Sequence, residues 1–221
     1  MEPLAVVACY LVGSVSFPYW IARLAGVDLH RAGSRKLGGS NLAAAVGPLH
    51  GLVGGLLDSL KGFAAVAVPA ALGLPGEIQL ACGLAAIAGQ MWPLFHRFDG
   101  GRANGTTWGF QLAVDVIAFL IAMIPVVVAA LLRVTVRPRP RRLIPLANLL
   151  SYGVFPAVIW EQEGPSPTVI AGVLALALVV LRRLTAGVRE DLATGAPAAR
   201  VLANRALFDR SELQERGLVA I

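Results

Sequence analysis

The chain has 221 residues, of which 57% are hydrophobic and only 14% are charged, and its mean hydropathy is +0.71. Soluble domains average about 25% charged residues, so the composition argues against a soluble protein and indicates a multi-pass α-helical membrane protein. The net charge is +6, and the basic residues lie at the borders of apolar segments, as in the positive-inside pattern of membrane proteins. No nucleic-acid partner is therefore expected. Both cysteines lie in apolar runs, and no metal-ligand spacing is found.

Six apolar runs follow one another along the chain. The N-terminal run has Glu2 and no basic residue before it, which indicates a retained first span and not a signal peptide. We expect a transmembrane domain over residues 1–184 and a cytoplasmic tail over 185–221, with an amphipathic helix that includes "ALFDRSELQERG". The runs cover residues 3–25, 51–73, 76–95, 107–132, 143–160 and 168–181.

The charges between the runs predict the orientation and the number of helices. Loops at 73–77 and 161–167 carry only glutamates, whereas the glycine-rich segments at 26–41 and 97–107 carry arginines. The N-terminus is therefore expected outside and the glycine-rich loops in the cytoplasm. A single span at 107–132 would place the basic linker on the wrong side, so we predict a short helix at 105–114, a turn near Asp115 and a return through 117–132. This gives an all-α bundle of about seven membrane helices; five or six spans remain the alternative.

The first glycine-rich loop, "RAGSRKLGGSN", combines small, hydroxyl and amide residues with positive charge. Glycines allow backbone N–H groups to turn toward an anion, and basic side chains neutralise it, so the loop is a candidate phosphate site. A flexible, solvated loop is the alternative. The candidate ligands are Arg31, Ser34, Gly38, Ser40 and Asn41.

Two ionisable residues interrupt the second apolar run. Asp58 and Lys61 are three residues apart and so share a face of the helix. Ionisable side chains inside a membrane are costly and mark functional sites by default, although a self-neutralising pair near the interface would also explain them.

The second glycine-rich loop, "FDGGRANGTT", leads into the start of the next helix. Free N–H groups and the helix dipole at such a position favour an anion, although Asp99 adds a negative charge beside it. Gly100, Gly101, Arg102 and Thr106 are the candidate ligands. No metal ligand set and no cofactor-binding signature is recognised.

These stretches together resemble the bacterial acyl-phosphate:glycerol-3-phosphate acyltransferase family over most of residues 1–190. The first loop is similar to the family motif Gly-Ser-Gly-Asn-x-Gly-Ala-Thr-Asn, and "DSLKG" to Asp-x-x-Lys-Gly. Residues 89–106, which include most of the second loop, match a motif that begins Gly-His, but Gln90 replaces its histidine, and Asp99 and Arg102 replace two lysines. "LRRLTAGVRE" is weakly similar to a third, basic motif through Arg182 and Arg183.

The resemblance implies an enzyme of phospholipid synthesis in the bacterial inner cell membrane. It would transfer a fatty acyl group from acyl phosphate to glycerol 3-phosphate and produce 1-acyl-glycerol 3-phosphate (lysophosphatidic acid). Ser34, Asp58, Lys61 and Gln90 would serve catalysis, and the two loops with Arg182 and Arg183 would bind phosphates. The substrates and the lipid bilayer are the expected partners, and no cofactor or metal is implied.

Three alternatives stay open at this point. The replacements at 35, 36, 90, 99 and 102 would also fit an inactive paralogue that acts as a membrane binding or regulatory protein, or an enzyme with another acyl donor or acceptor. A transporter is the third, but no internal repeat supports it. The sequence does not predict the oligomeric state or the acyl-chain length.

Overall fold

All regular elements that the structure describes are helical. A computed structural model describes residues 2–136 and 142–212. Within these ranges no strand is present, so the predicted all-α class is confirmed. A short 3-10 turn at Leu94–His96 follows the fifth helix. The helices are α1 (Glu2–Ser14), α2 (Phe17–Leu24), α3 (Gly39–Ala45), α4 (Pro48–Ala71), α5 (Gly76–Met91), α6 (Asn104–Val114), α7 (Val116–Thr135), α8 (Leu143–Glu163), α9 (Pro167–Thr185), α10 (Val188–Leu192) and α11 (Ala198–Phe208).

The described chain forms two compact units. The first contains α1 to α6 and ends at Val114, and the second begins at Asp115 and contains α7 to α11. The predicted boundary between a membrane domain at 1–184 and a tail at 185–221 stays a prediction.

Six segments of the described chain are long and apolar enough to cross a membrane. The predicted break at Asp115 is present, since α6 ends at Val114 and the Asp115 carboxylate accepts a hydrogen bond from Ala118 N at 2.6 Å as the N-cap of α7. With 11 residues, α6 is about 16 Å long, roughly half the thickness of a bilayer core. The total of seven membrane helices and their orientation stay predictions. The six segments are Glu2–Leu24, Pro48–Ala71, Gly76–His96, Val116–Thr135, Leu143–Glu163 and Pro167–Thr185.

Glycines allow the helices of the first unit to pack closely. A Cβ atom at Gly62 or Gly109 would overlap a backbone oxygen across the contact between α4 and α6. Gly13 and Gly89 have the same role between α1 and α5. Small residues at such contacts are typical of helices that associate in lipid, where van der Waals packing replaces the hydrophobic driving force. This packing holds the short α6 against α4, beside Asp58.

The outer surface of α7 is apolar. Ile117, Leu120, Ile124 and Leu131 are each more than half exposed and recur every three to seven residues, so they lie on one face. An exposed face of this kind would be unfavourable in water and is suited to lipid.

The helix in the C-terminal segment lies earlier in the chain than predicted. α11 covers Ala198–Phe208 and ends at Asp209, which adopts a left-handed conformation with φ of 48°. The prediction of a helix through "ALFDRSELQERG" is therefore wrong at Asp209, where the chain leaves the helix; residues 213–217 lie outside the described ranges. Asp tolerates this conformation because its short polar side chain can hydrogen-bond locally.

Candidate active site

A buried network of polar side chains joins α4 to α5. Asp58, Lys61 and Gln90 are 5%, 4% and 2% exposed. The Asp58 Oδ1 atom lies 3.0 Å from Lys61 Nζ. The Asp58 Oδ2 atom accepts a hydrogen bond from Gln90 Nε2 at 3.1 Å. Lys61 Nζ also donates to Gln90 Oε1. The sequence predicted that Asp58 and Lys61 share a face, and Gln90 completes a closed triangle with them.

Lys61 also stabilises the break between α1 and α2. Its Nζ donates to Gly13 O at 3.0 Å and to Val15 O at 2.6 Å. The last carbonyl groups of a helix have no partner within the helix, and a positive charge there is favourable. The ammonium group has three hydrogens and is surrounded by four protein oxygens, so its hydrogen-bonding capacity is used within the fold.

Gln90 is where the two glycine-rich loops meet. Its side-chain Nε2 donates to Leu37 O of the first loop at 3.2 Å, and its backbone oxygen accepts from Gly101 N of the second loop at 3.1 Å. A Cβ atom at Gly101 would lie 2.6 Å from Leu37 O, so only glycine permits this approach. The two loops therefore meet at Gln90 in the first unit, and their use as one shared binding site stays a prediction.

The first loop folds around the side chain of Asn41, which is 4% exposed. Asn41 Oδ1 accepts from Ser34 N at 2.9 Å. Its Nδ2 atom lies 3.1 Å from Ala32 O and 3.0 Å from Lys36 O. The amide thus acts as an internal template for the loop, and this contact holds Ser34 in place.

The other predicted phosphate ligands differ in their exposure to solvent. Arg31 and Ser40 are exposed, and Ser34, Gly38 and Arg102 are half-buried. Gly100, Gly101 and Thr106 are buried. The Thr106 hydroxyl is completely buried and has no hydrogen-bond partner among the residues that the structure describes.

Arg182 and Arg183 belong to the second unit, at the end of α9. Both are buried, and Arg183 donates to Pro145 O and Ala206 O, each at 3.1 Å. Arg183 thereby ties α9 to the start of α8 and to α11.

Sequence reasoning missed a polar pair on α8. Asn148 Oδ1 and Ser151 Oγ are buried and have no hydrogen-bond partner in the described part of the chain. They are three residues apart within an apolar run. The same spacing of two polar residues in an apolar helix indicated that Asp58 and Lys61 share a face, so it could have identified this pair as well. Among the described residues, no group of three or more His, Cys, Asp or Glu side chains is arranged to hold a metal ion.

The fold and this network define a class: an integral, multi-pass α-helical membrane protein with a buried ionic network under two glycine-rich loops. The family model described as glycerol-3-phosphate acyltransferase matches residues 3–190, and the chain belongs to this family. The family resemblance inferred from the motifs is thus confirmed.

Named relatives and solved structures agree with this membership. The chain is 35% identical over 200 residues to glycerol-3-phosphate acyltransferase 2 of Moorella thermoacetica, covering 86% of this chain and 96% of the relative. It is 30% identical over 209 residues to glycerol-3-phosphate acyltransferase 5 of Dehalococcoides mccartyi, covering 94% and 88%. The crystal structure of PlsY (YgiH), an integral membrane glycerol 3-phosphate acyltransferase, in its glycerol 3-phosphate form superposes with a TM-score of 0.74 at 27% identity, covering 97% of this chain and 98% of that one. Its lysophosphatidic acid form gives 0.72 at 25% identity, covering 94% and 97%.

Proposed function

We propose that this protein is an acyltransferase of the bacterial inner membrane. It transfers a fatty acyl group from acyl phosphate to glycerol 3-phosphate and forms 1-acyl-glycerol 3-phosphate for phospholipid synthesis. The observation that carries the proposal is the meeting of both glycine-rich loops at Gln90, because this places two anion-attracting segments beside each other. Family membership and the similarity to PlsY support the choice of substrates.

The first loop binds one phosphate group in this proposal. Arg31 supplies charge, and Ser34, Gly38 and Ser40 supply hydroxyl and backbone groups at positions that solvent reaches. Asn41 belongs to the same site, but its amide is occupied by the loop backbone, so it shapes the loop.

The second loop cradles the other phosphate group. Arg102 is half-buried, and its planar guanidinium can donate two parallel hydrogen bonds to a phosphate. Gly100 and Gly101 allow the loop to approach Gln90, and Thr106 lies in the first turn of α6. We propose that Arg182 and Arg183 add positive charge to phosphate binding.

The reaction needs no covalent intermediate on the protein. The hydroxyl oxygen of glycerol 3-phosphate bonds to the acyl carbon, and the bond from that carbon to the phosphate oxygen breaks with its electron pair left on phosphate. The hydroxyl proton ends on the departing phosphate, so the reaction needs no titratable side chain at position 90, where the family motif has histidine. Catalysis then comes from positioning and from charge neutralisation.

Asp58, Lys61 and Gln90 act chiefly by holding the loops in place. Lys61 brings its positive charge below the loops, Asp58 neutralises and orients it, and Gln90 transmits this arrangement to Leu37 and Gly101. Loss of Asp58 or Lys61 should lower kcat, because the phosphate groups would no longer be aligned.

Purified protein with a long-chain acyl phosphate and labelled glycerol 3-phosphate tests the proposal. We expect lysophosphatidic acid and phosphate in equal amounts, and growth of a bacterium that lacks its own acyl-phosphate-dependent enzyme. Arg102→Ala should raise the KM for a phosphate substrate about tenfold or more, given the strength of charge-assisted hydrogen bonds. Arg23→Ala, which removes an exposed arginine at the end of α2, is the matched control and should change little.

Two results would decide for the alternatives. No lysophosphatidic acid above background in a folded preparation would favour an inactive binding or regulatory paralogue. Transfer from an acyl thioester, or to another phosphorylated alcohol, in preference to the proposed substrates would favour altered specificity, for which Asp99 is the first residue to examine.

A further inference from the structure

Two histidines that are 66 residues apart in the chain face each other beside the candidate site. His30 Nε2 lies 3.4 Å from His96 Nδ1. His30 immediately precedes the first glycine-rich loop, and His96 ends the 3-10 turn that leads into the second. Both are half-buried. The proposed acyl transfer uses neither of them.

The two rings are held in place by their surroundings. The Tyr19 ring packs edge-on against both, with centroids 4.5 Å from His96 and 5.5 Å from His30. The backbone N–H groups are fixed as well, since His30 N donates to Asp28 Oδ1 at 3.0 Å and His96 N donates to Pro93 O at 3.1 Å. Tyr19 itself is anchored through its N–H to Ser16 Oγ at the start of α2. The imidazoles are therefore arranged before any ligand binds.

The spacing of the two nitrogens fits one shared metal ion. A hydrogen bond between nitrogen and its acceptor is normally about 2.7–3.2 Å long, so 3.4 Å is long for a direct imidazole–imidazole bond. Two nitrogens on one tetrahedral zinc ion, each at about 2.0–2.1 Å, lie about 3.3 Å apart. Imidazole is also the preferred protein ligand of zinc, copper and nickel.

We propose that His30 and His96 form a binding site for a first-row divalent metal ion of the zinc type. The ion ties the first glycine-rich loop to the turn before the second, and water or a phosphate oxygen fills its remaining positions. The charges next to the pair in sequence are balanced, with Asp28 and Asp99 opposing Arg31 and Arg97.

Calorimetric titration of zinc chloride into detergent-purified protein, carrying no histidine tag, tests the site. We expect one ion per chain. His30→Gln and His96→Gln should each weaken binding by about tenfold or more, because losing a direct ligand costs at least as much as the 10–100-fold that is typical for a residue supporting one. His50→Gln is the matched control, since His50 is exposed at the start of α4, and it should bind as the wild type does. Equal binding by wild type and the double variant His30→Gln/His96→Gln, or no binding by wild type, would overturn the proposal.

Two further measurements distinguish metal binding at the histidines from binding at the cysteines, and test whether the ion links the first loop to the turn before the second. Cobalt in place of zinc should give visible bands without a sulfur-to-metal charge-transfer band; such a band would place the ion at Cys9 or Cys82 and refute the proposal. Zinc should slow tryptic cleavage at Arg31 and Arg35 in wild type and not in His96→Gln. Equal protection in both would refute the tie between the loops.

Discussion

A buried ion pair lies in the described part of each compact unit, and the two pairs hold different segments of the chain. In the first unit, Lys61 contacts the C-terminal end of α1, and the Lys61–Asp58 pair is bonded through Gln90 to both glycine-rich loops. In the second, Arg205 lies 2.5 Å from Asp191 and donates to Ala186 O and to Gly187 O, which follow α9. Both are at most 5% exposed.

The shared feature is a cation that satisfies backbone carbonyl groups where a helix ends. Such a pair contributes little net stability, yet breaking it leaves a buried charge and costs about 3–5 kcal/mol. The two units should therefore respond alike in stability and differently in activity, because the first pair is bonded through Gln90 to the loops that we assign to substrate. Variants that separate stability from acyl transfer test this difference, and they are ordered below by their effect on transfer.

Lys61→Met should have the largest effect. It leaves the Asp58 carboxylate buried without its cation and frees the carbonyls of Gly13 and Val15, so we expect a lower unfolding temperature. Transfer per folded molecule should fall about a hundredfold or more, as misplacement near a reacting centre does. Thermal unfolding in detergent and kcat at saturating substrates measure the two effects. Transfer within twofold of wild type would contradict the account.

Asn41→Ala should come next. The substitution removes the side-chain oxygen that accepts from Ser34 N and the side-chain nitrogen that donates to the carbonyl groups of residues 32 and 36. The first loop therefore loses the hydrogen bonds that fix its conformation. We expect the KM for glycerol 3-phosphate or acyl phosphate to rise about tenfold, since each lost hydrogen bond is worth about 0.5–1.5 kcal/mol. Asn204→Ala on α11 is the control. An unchanged KM for both substrates would show that the loop does not bind them.

Arg205→Met should separate the two regions most clearly. It leaves the Asp191 carboxylate unpaired among the described residues that contact it, so stability should fall about as much as in Lys61→Met. Transfer per folded molecule should stay within about twofold of wild type, because the described contacts of this pair join residues of the second unit to one another. A loss of activity as large as that of Lys61→Met would show that the two pairs are not functionally distinct.

Gln90→His, which restores the family residue, should have the smallest effect. We expect kcat to change by less than about twofold, because the proposed reaction passes the proton to the departing phosphate. A general base contributes about 10²–10⁴-fold, so a gain of that size with a new pH dependence of kcat would contradict this mechanism.

The local features of the molecule were predictable from the sequence. Long apolar runs predicted the helical membrane class, the charge conflict predicted the break at Asp115, and spacing predicted the shared face of Asp58 and Lys61. The motifs around 33–41 and 98–107 led to the family. Apart from the charge comparison, which uses loops along the whole chain, each of these depends on residues that are close together in the chain.

The contacts between distant residues could not be predicted. Lys61 and Gln90 bind the backbone oxygens of Gly13, Val15 and Leu37, and a backbone oxygen has no signature in the sequence. His30 and His96 come together only because α2 and the 3-10 turn place both rings next to each other and against Tyr19. The end of α11 depends on the conformation of Asp209, which helix propensity does not predict.

The double variant Asp58→Asn/Lys61→Met gives the most direct test of the central claim, that the first ion pair serves transfer by positioning the loops. Removing both charges avoids the unpaired carboxylate, so the double variant should unfold at a higher temperature than Lys61→Met. The account predicts that its acyl transfer remains about as low as that of Lys61→Met. Recovery of wild-type transfer together with stability would contradict it, because the pair would then serve folding alone.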